Sequence, residues 1–424
     1  MRIKWIFIIL SLALFYSINS YSQKGIYSPY TRYGLGEIVD QNMGNTMGFG
    51  SITSGIRMND VINYSNPASY TAQDTNSFIF DVGISANTSL QRSSDDQISR
   101  RALGFDHLAI GFPVFRWWKS SIGIVPLSQV GYHVKTTTNP NGIDEMENRF
   151  EGEGGIRQFY IGNAFDLTKN LSVGVNYYYL FGNTTYNSTA ALPEDPYSGL
   201  FQKDLNFHLR GSRFQTGLQY EFNLSENSNL TLGVSHDLST NLDLEKSYEF
   251  FSFYQYNDNQ GVTRQDTIDR IQQTKDSKFQ YPQGWSGGFA LQGRKLIFGA
   301  DFEYQNWSTL EEEFDNLSDS YSLRGGMQYT PDEEALGSYL QRVDYRLGAF
   351  YKQSYLNLNN QQLKDFGITF GLGLPLRYNR TKFNIALKLG RRGTTSENLI
   401  EENYAMINFN ITFYDFWFIK QKYR

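Results

Sequence analysis

The sequence predicts an all-β fold: a transmembrane antiparallel β-barrel, with fourteen strands and an N-terminal plug or hatch segment. Three observations predict it: a signal for export, long stretches in which apolar and polar side chains alternate, and connections that are alternately short and long. These are properties of barrels that cross a membrane with strands, because a closed sheet satisfies its own backbone hydrogen bonds in lipid.

The N-terminus has the form of a secretory signal peptide. Two positive charges lie within the first four residues, and an apolar run from Trp5 to Tyr16 follows them. The run is too short to span a bilayer as a helix. The small residues Ser20 and Ser22 predict cleavage after Ser22, so residues 1–22 are the expected signal peptide.

The composition further limits the classes of protein to which the chain can belong. After Tyr16 no stretch approaches the roughly 18 apolar residues that a transmembrane helix needs. The absence of cysteine excludes disulfides, thiolate metal sites and a lipoprotein anchor. A formal net charge of −5 disfavours nucleic acid as a partner. An aromatic fraction of 16% suits the aromatic girdles of a membrane barrel.

Alternation is clearest from Leu230 to Ser239, where one face carries leucines and valine and the other carries small polar residues. Successive side chains of a strand point to opposite faces, so this stretch predicts a wall strand with one apolar face. The same pattern predicts strands at residues 77–89, 103–113, 120–134, 154–165, 171–189, 203–223, 229–246, 279–292, 295–307, 319–330, 341–355, 364–376, 380–391 and 403–418.

The connections between these strands also favour a membrane barrel. Every second connection is short, as at Gly293-Arg294, whereas residues 135–153 and 248–277 are expected to form long polar loops. Outer-membrane barrels have short periplasmic turns and longer external loops. A soluble β-sandwich or propeller also alternates apolar and polar residues, but strands of about ten residues or more disfavour it.

A glycine-rich segment without sustained alternation precedes the first predicted strand. The interior of a barrel of this size is wider than side chains can fill, so residues 23–76 are expected to form a plug. A disordered tail is the alternative, and apolar positions such as Ile52 and Ile56 weigh against it. Residues 77–418 are then the barrel, and residues 419–424 a periplasmic tail.

Several short motifs carry a resemblance to a known family. The tripeptide Asn66-Pro67-Ala68, just ahead of the first strand, resembles the signature at the end of the plug in the FadL/OMPP1/TodX family of outer-membrane proteins. The layout of signal, glycine-rich plug, tripeptide and fourteen strands is also similar. Residues 371–376, 390–394 and 402–404 resemble the pattern of an OMPP1-like branch.

The resemblance implies a function and a location. The expected function is passive uptake of hydrophobic or amphipathic small molecules, fatty acid-like or aromatic, across the outer membrane of a Gram-negative cell, with outer-membrane lipid and a hydrophobic ligand as partners. The family also implies a lateral exit at a distorted third strand. Here Gly123 and Pro126 lie in predicted strand 120–134, and proline cannot donate to a ladder, so a break or bulge is expected. A proline on the unpaired side of a slightly irregular strand is the alternative.

Alternation also predicts which charged side chains face the lumen. Their mixed signs suggest mutual pairing and tethering of the plug, and an arginine among them could meet a carboxylate ligand. The predicted lumen charges are Asp301, Glu303, Arg324, Asp344, Arg346, Lys352 and Lys388. The tryptophans at 117, 118, 285, 307 and 417 are expected to be interfacial anchors.

The residues also bear on two other function classes. An enzyme needs a nucleophile and a base in geometry, but Ser235 and His236 are adjacent on one strand and point to opposite faces. We therefore predict no catalytic residue, cofactor or metal. The other class is a non-transporting barrel of the same type that serves as a protein-binding subunit of an outer-membrane secretion or assembly complex. The tyrosine-rich stretch 248–277 would be its docking surface, and the sequence leaves this alternative open.

Overall fold

The computed structural model describes residues 25–94, 96–139, 146–191, 199–257, 263–310, 317–335, 337–376 and 380–416. The predicted signal peptide and C-terminal tail lie outside these residues. The described strands form one antiparallel sheet, in which the short strand β1 (Glu37–Ile38) lies inside the wall made by the others. No helix in the described ranges is long and apolar enough to cross a bilayer.

The wall is built from sixteen strand segments. They are β2 (Ser77–Arg92), β3 (Gln97–Phe115), β4 (Trp118–Thr138), β5 (Met146–Asp166), β6 (Leu171–Ala191), β7 (Gly199–Ser225), β8 (Ser228–Asp237), β9 (Thr240–Asn257), β10 (Thr263–Tyr281), β11 (Gly284–Gly293), β12 (Leu296–Gln305), β13 (Ser320–Tyr329), β14 (Asp344–Leu358), β15 (Gln361–Pro375), β16 (Lys382–Arg392) and β17 (Glu401–Phe416).

Two pairs of segments are single wall strands with a short break. Strand β7 pairs with both β8 and β9, so these two continue each other across residues 238–239. Strands β10 and β11 continue each other in the same way, since they pair with β9 and β8. The described wall therefore has fourteen strands, and the prediction of a fourteen-stranded antiparallel barrel is confirmed.

The barrel closes between its first and last strands. Strand β17 pairs antiparallel with β2 from Glu401 opposite Arg92 to Phe416 opposite Ser77. The alternation has the expected sense: Leu232 and Val234 on β8 are each 44% exposed on the outer face, whereas Thr231 and Ser235 are buried. An apolar outer face and a polar inner face are what a barrel in lipid requires.

The strands reach different heights around the barrel. We call the end that holds Ser77 and Phe416 the short-turn end, and the opposite end the long-loop end. The described parts of residues 135–153 and 248–277, expected as loops, are mostly strand, because β4 and β5 extend at the long-loop end and β9 and β10 form a tall hairpin. Polar side chains occupy both faces there, so the apolar alternation stops although the backbone ladder continues.

Residues 25–76, which we call the N-terminal segment, lie against the inner face of the wall. They include 3-10 helices Pro29–Arg32 and Pro67–Ala72 and the short helix α1 (Gly44–Met47). Glycines permit the close approach: a Cβ on Gly371 of β15 would lie 2.9 Å from the Cα of Gly48. Three further 3-10 helices occur in connections, at Trp307–Leu310, Tyr339–Arg342 and Ser396–Asn398.

Candidate wall opening and lumen charges

Strands β3 and β4 pair over only part of their length. Their ladder begins at Phe115 opposite Trp118, near the short-turn end, and its last pair is Leu108 with Ile124. Farther toward the long-loop end, the described residues of β3 pair with β2, and those of β4 pair with β5 and β1. Among the described residues, the wall therefore lacks backbone pairing between β3 and β4 from Ile124 toward the long-loop end.

The local cause lies at Pro126 and the residue after it. Pro126 is opposite Arg157 and Ser128 is opposite Ile156, so Leu127 is an extra residue in β4. Proline has no N–H to donate, and an extra residue bends a strand. The Leu127 carbonyl turns inward and accepts a hydrogen bond of 3.0 Å from the backbone N of Val39. Strand β4 thus leaves β3 and pairs with the N-terminal segment.

A cavity of about 410 Å³ lies in this part of the wall. On the β3 side it is lined by Leu103 and Phe105, which are 45% and 37% exposed on the outer face. The Arg157 guanidinium lies 5.7 Å from the centroid of the Phe105 ring and so bridges β5 and β3. Gly25 of the N-terminal segment also lines the cavity, which therefore reaches from that segment to the outer face.

Pro126 lines this cavity, but Gly123 does not. Gly123 is opposite Ala109, within the paired part of the ladder. A Cβ at Gly123 would lie 2.6 Å from the Leu108 carbonyl oxygen and 2.7 Å from the Tyr160 ring. The glycine therefore allows tight packing below the cavity.

The Asn66-Pro67-Ala68 tripeptide lies near the short-turn end. Asn66 caps the 3-10 helix by accepting a hydrogen bond from the backbone N of Ala68, and its amide donates to the Ser54 carbonyl at 2.9 Å. The tripeptide packs on glycines of β6 and β7. For example, a Cβ at Gly217 of β7 would lie 2.2 Å from the Asn66 Oδ1. The tripeptide is therefore fitted closely to the wall.

Asp40 of the N-terminal segment is held by three wall cations. Its carboxylate lies 2.8 Å from Lys388 Nζ, 3.3 Å from Lys352 Nζ and 3.4 Å from an Arg324 guanidinium nitrogen. Burial opposes ionisation of this carboxyl, but the charges of Lys388, Lys352 and Arg324 outweigh it and hold the pKa of Asp40 well below its usual range. The carboxylate is therefore charged and ties the segment to β13, β14 and β16.

Other wall charges bind the segment elsewhere. Asp301 accepts hydrogen bonds from the backbone N of Thr53 at 2.5 Å and of Ser54 at 2.8 Å. Lys382 lies 2.9 Å from Asp60 and 3.1 Å from Asp344. The segment is thus fixed to the wall at several levels.

The remaining predicted lumen charges pair within the wall. Glu303 lies 2.8 Å from Arg324. Arg346 binds Asp344 at 3.1 Å and also donates to the side chains of Gln328 and Asn384. Arg346 is buried by these wall contacts.

Two buried groups were missed by the sequence analysis. Arg213 is fully buried, with Asp237 at 2.5 Å and the Tyr178 ring centroid at 3.9 Å. His107 is buried between Asp81 at 2.5 Å and Asp106 at 2.7 Å. Alternation with Phe214 would have placed Arg213 on the lumen face, but no spacing rule names its partner on another strand.

The tryptophans divide into two groups. Trp117 and Trp285 are 54% and 51% exposed on the outer surface, consistent with interfacial positions. Trp307 is 1% exposed and packs inside, 4.6 Å from the Tyr355 ring, so its prediction as an anchor is wrong. It follows β12 in a 3-10 helix, where strand alternation no longer fixes its direction. Trp417 lies outside the described residues.

Solved structures with the same fold include two toluene transporters and a FadL homologue. The toluene transporter TodX of P. putida matches with a TM-score of 0.61 and 14% identity over 90% of this chain and 100% of that one. The Ralstonia pickettii toluene transporter TbuX matches with a TM-score of 0.60 and 14% identity, over 88% and 98%. A Pseudomonas aeruginosa FadL homologue gives 0.58 and 11%, over 90% and 99%.

The fold is therefore that of the FadL and TodX type of β-barrel. Within this class, the chain belongs to the BamG family, whose model matches residues 2–424. A search of curated protein sequences finds no match. The narrower assignment to an OMPP1-like branch stays a prediction.

Proposed function

We propose that the protein is an outer-membrane channel for passive uptake of hydrophobic or amphipathic small molecules, with a lateral exit between β3 and β4. The observation that carries the proposal is the end of the β3–β4 ladder at Ile124, beside a cavity of about 410 Å³. Unpaired backbone groups facing lipid cost several kcal/mol each, so a gap in a wall strand persists where function supports it. The FadL and TodX type of fold supports this reading.

The route would begin at the long-loop end. There a groove of about 350 Å³ lies between the tall parts of β5, β6, β7, β9 and β10, and its lining includes Phe150, Phe201, Phe250 and Ile271. Aromatic and aliphatic walls of this size suit a small apolar ligand. Movement of the N-terminal segment, which we propose acts as the plug, would then pass the ligand to the cavity beside Pro126.

Replacement of Pro126 by valine tests the lateral exit. Valine restores an N–H and is a good strand former, so we expect β4 to pair with β3 beyond Ile124. One ladder bond stabilises the closed wall by about 0.5–1.5 kcal/mol, which predicts uptake about 2–10-fold slower. The measurement is the rate of radiolabelled toluene uptake by vesicles that contain the full-length protein.

Pro113→Val is the matched control, because Pro113 lies on the same seam but in its paired part, opposite Lys119. Its uptake rate should equal that of the wild type. If Pro126→Val transports at the wild-type rate while amide hydrogen exchange shows a continuous β3–β4 ladder, the lateral exit is ruled out.

A second candidate function is that of a protein-binding subunit of an outer-membrane complex. The observation that favours it is the tall β9–β10 hairpin. Among the described residues, β10 pairs along its length with β9, and its other edge has no strand partner. An unpaired edge can accept a strand from another protein.

Shortening this hairpin tests the second candidate. Tyr248 is opposite Gln273, so a two-residue turn can replace residues 249–272 without changing the register. If the hairpin is a docking surface, a stoichiometric partner should purify with the wild type in mild detergent and be lost from the shortened variant. A wild-type barrel that purifies alone contradicts the subunit function. Faster migration on gels of the unboiled than of the boiled shortened protein shows that the shortened barrel still folds.

A further inference from the structure

Three cations of the wall surround the carboxylate of Asp40. Arg324, Lys352 and Lys388 all lie within 3.4 Å of the Asp40 carboxylate. Glu303 is paired with Arg324, and Lys388 also lies over the Phe350 ring at 4.2 Å. Among the described residues, Asp40 is thus the carboxylate that all three cations share, and it belongs to the N-terminal segment rather than to the wall.

Asp40 also separates two small cavities in the lumen. One, of about 80 Å³, is lined by Met47 and Met406, and the other, of about 30 Å³, by Trp307 and Tyr355. Residues 38–40 and Lys352 line both. Ligand pockets usually measure about 300–1,000 Å³, so neither cavity holds an amphipathic molecule unless this partition moves.

We propose that Arg324, Lys352 and Lys388 form a binding site for the carboxylate head group of an amphipathic ligand, and that Asp40 occupies this site as an internal competitor. The inference rests on the proposed uptake function and adds a ligand class to it. A ligand carboxylate has the charge and the two acceptor oxygens of Asp40, so the exchange leaves the charge of the lumen unchanged. The arrival of the ligand would release residues 38–40 and join the two cavities.

The surrounding charges explain why the exchange needs an anion at this position. If Asp40 left without a replacement, three partly buried cations would lose the carboxylate that they share, which is costly. An uncharged ligand cannot replace it. The rest of the larger cavity carries Asp106 and, around Arg392, Glu37, Asp365 and Glu402, and these acids disfavour an anion outside the three-cation site.

Equilibrium dialysis of octanoate and octanol against the full-length protein in lipid nanodiscs tests this site, with binding to empty nanodiscs subtracted. Asp40→Asn removes the competitor, so octanoate should bind about tenfold more tightly than to the wild type, because apparent affinity scales with the fraction of free sites. Octanol should bind both proteins equally. Asp60→Asn removes the same charge at Lys382 instead, and should match the wild type.

Two outcomes would overturn the proposal: an equal gain for octanol and octanoate in Asp40→Asn, or the same gain in Asp60→Asn. Asp40→Ser is the second variant if Asp40→Asn does not fold, because its hydroxyl can still accept a hydrogen bond from Lys388 or Lys352 without a competing charge. It should bind octanoate more tightly than the wild type does and bind octanol equally, and an unchanged octanoate affinity overturns the site. If neither octanoate nor octanol binds the wild type, the proposed uptake function is contradicted as well. If octanol binds the wild type but octanoate binding does not change in these variants, only the proposed carboxylate site is contradicted.

Discussion

Deletion of residues 24–76 should convert a closed barrel into one that conducts ions. The deletion removes the chain that lies against the inner faces of β4, β6, β7 and β13–β17, but it leaves every ladder of the wall intact, including the closing pair β17–β2. The inner face is rich in polar side chains that water can hydrate once the segment is gone. Ion conductance of single barrels in planar bilayers is the measurement.

A point variant separates occlusion from a general loosening of the barrel. Tyr30→Phe removes a hydroxyl that accepts a hydrogen bond of 3.0 Å from the backbone N of Ile400, but it leaves the segment in the lumen. This variant should stay as closed as the wild type. If the deletion variant inserts into the bilayer and also stays closed, the N-terminal segment is not what blocks the lumen.

Arg213→Met should destabilise the barrel by about 3–5 kcal/mol, because removal of one partner leaves the other as an unpaired buried charge. The Arg213 side chain is fully buried and binds Asp237 at 2.5 Å and the Gln158 Oε1 at 2.9 Å. Methionine keeps the volume but none of the donors. The measurement is the denaturant concentration at which the unboiled protein loses its folded mobility on gels.

Two variants control for this interpretation. Arg210→Met removes an exposed arginine from the same strand and should change stability little. The double variant Arg213→Met with Asp237→Asn removes both charges and should recover much of the loss. If the double variant is as unstable as Arg213→Met alone, the cost comes from packing around Tyr178 rather than from the unpaired carboxylate.

The number of wall strands could be predicted because a lipid environment imposes the same two-residue alternation of apolar and polar side chains on every strand. Strand β16 alternates over most of its length, so its prediction at residues 380–391 was correct within two residues. The tall hairpin of β9 and β10 could not be recognised, since it rises beyond the apolar band and its ladder is held by backbone bonds. A two-residue period of hydrophobicity does not report those bonds.

The break in the β3–β4 ladder was predictable because one residue breaks a rule by itself. Pro126 cannot donate to a ladder, and the structure places a bulge beside it and the end of the β3–β4 pairing nearby. Asp40 gave no such signal. The segment around Asp40 has no regular alternation of apolar and polar side chains. The three cations that bind Asp40 lie 284, 312 and 348 residues farther along the chain. Only the fold brings a lone aspartate and three distant cations together.

The closing pair β17–β2 has a consequence for the order of folding. A ring that joins its first strand to its last cannot close until the whole wall has been made. Several contacts of the N-terminal segment also cannot form until β16 and the residues after it have been made. Asp40 binds Lys388, Glu37 binds Arg392, and Tyr30 binds the backbone of Ile400. Contacts of such long sequence separation form slowly and late. The N-terminal segment is therefore already present while the wall assembles around it. A chain that ended before β16 would have neither a closed ring nor these three contacts.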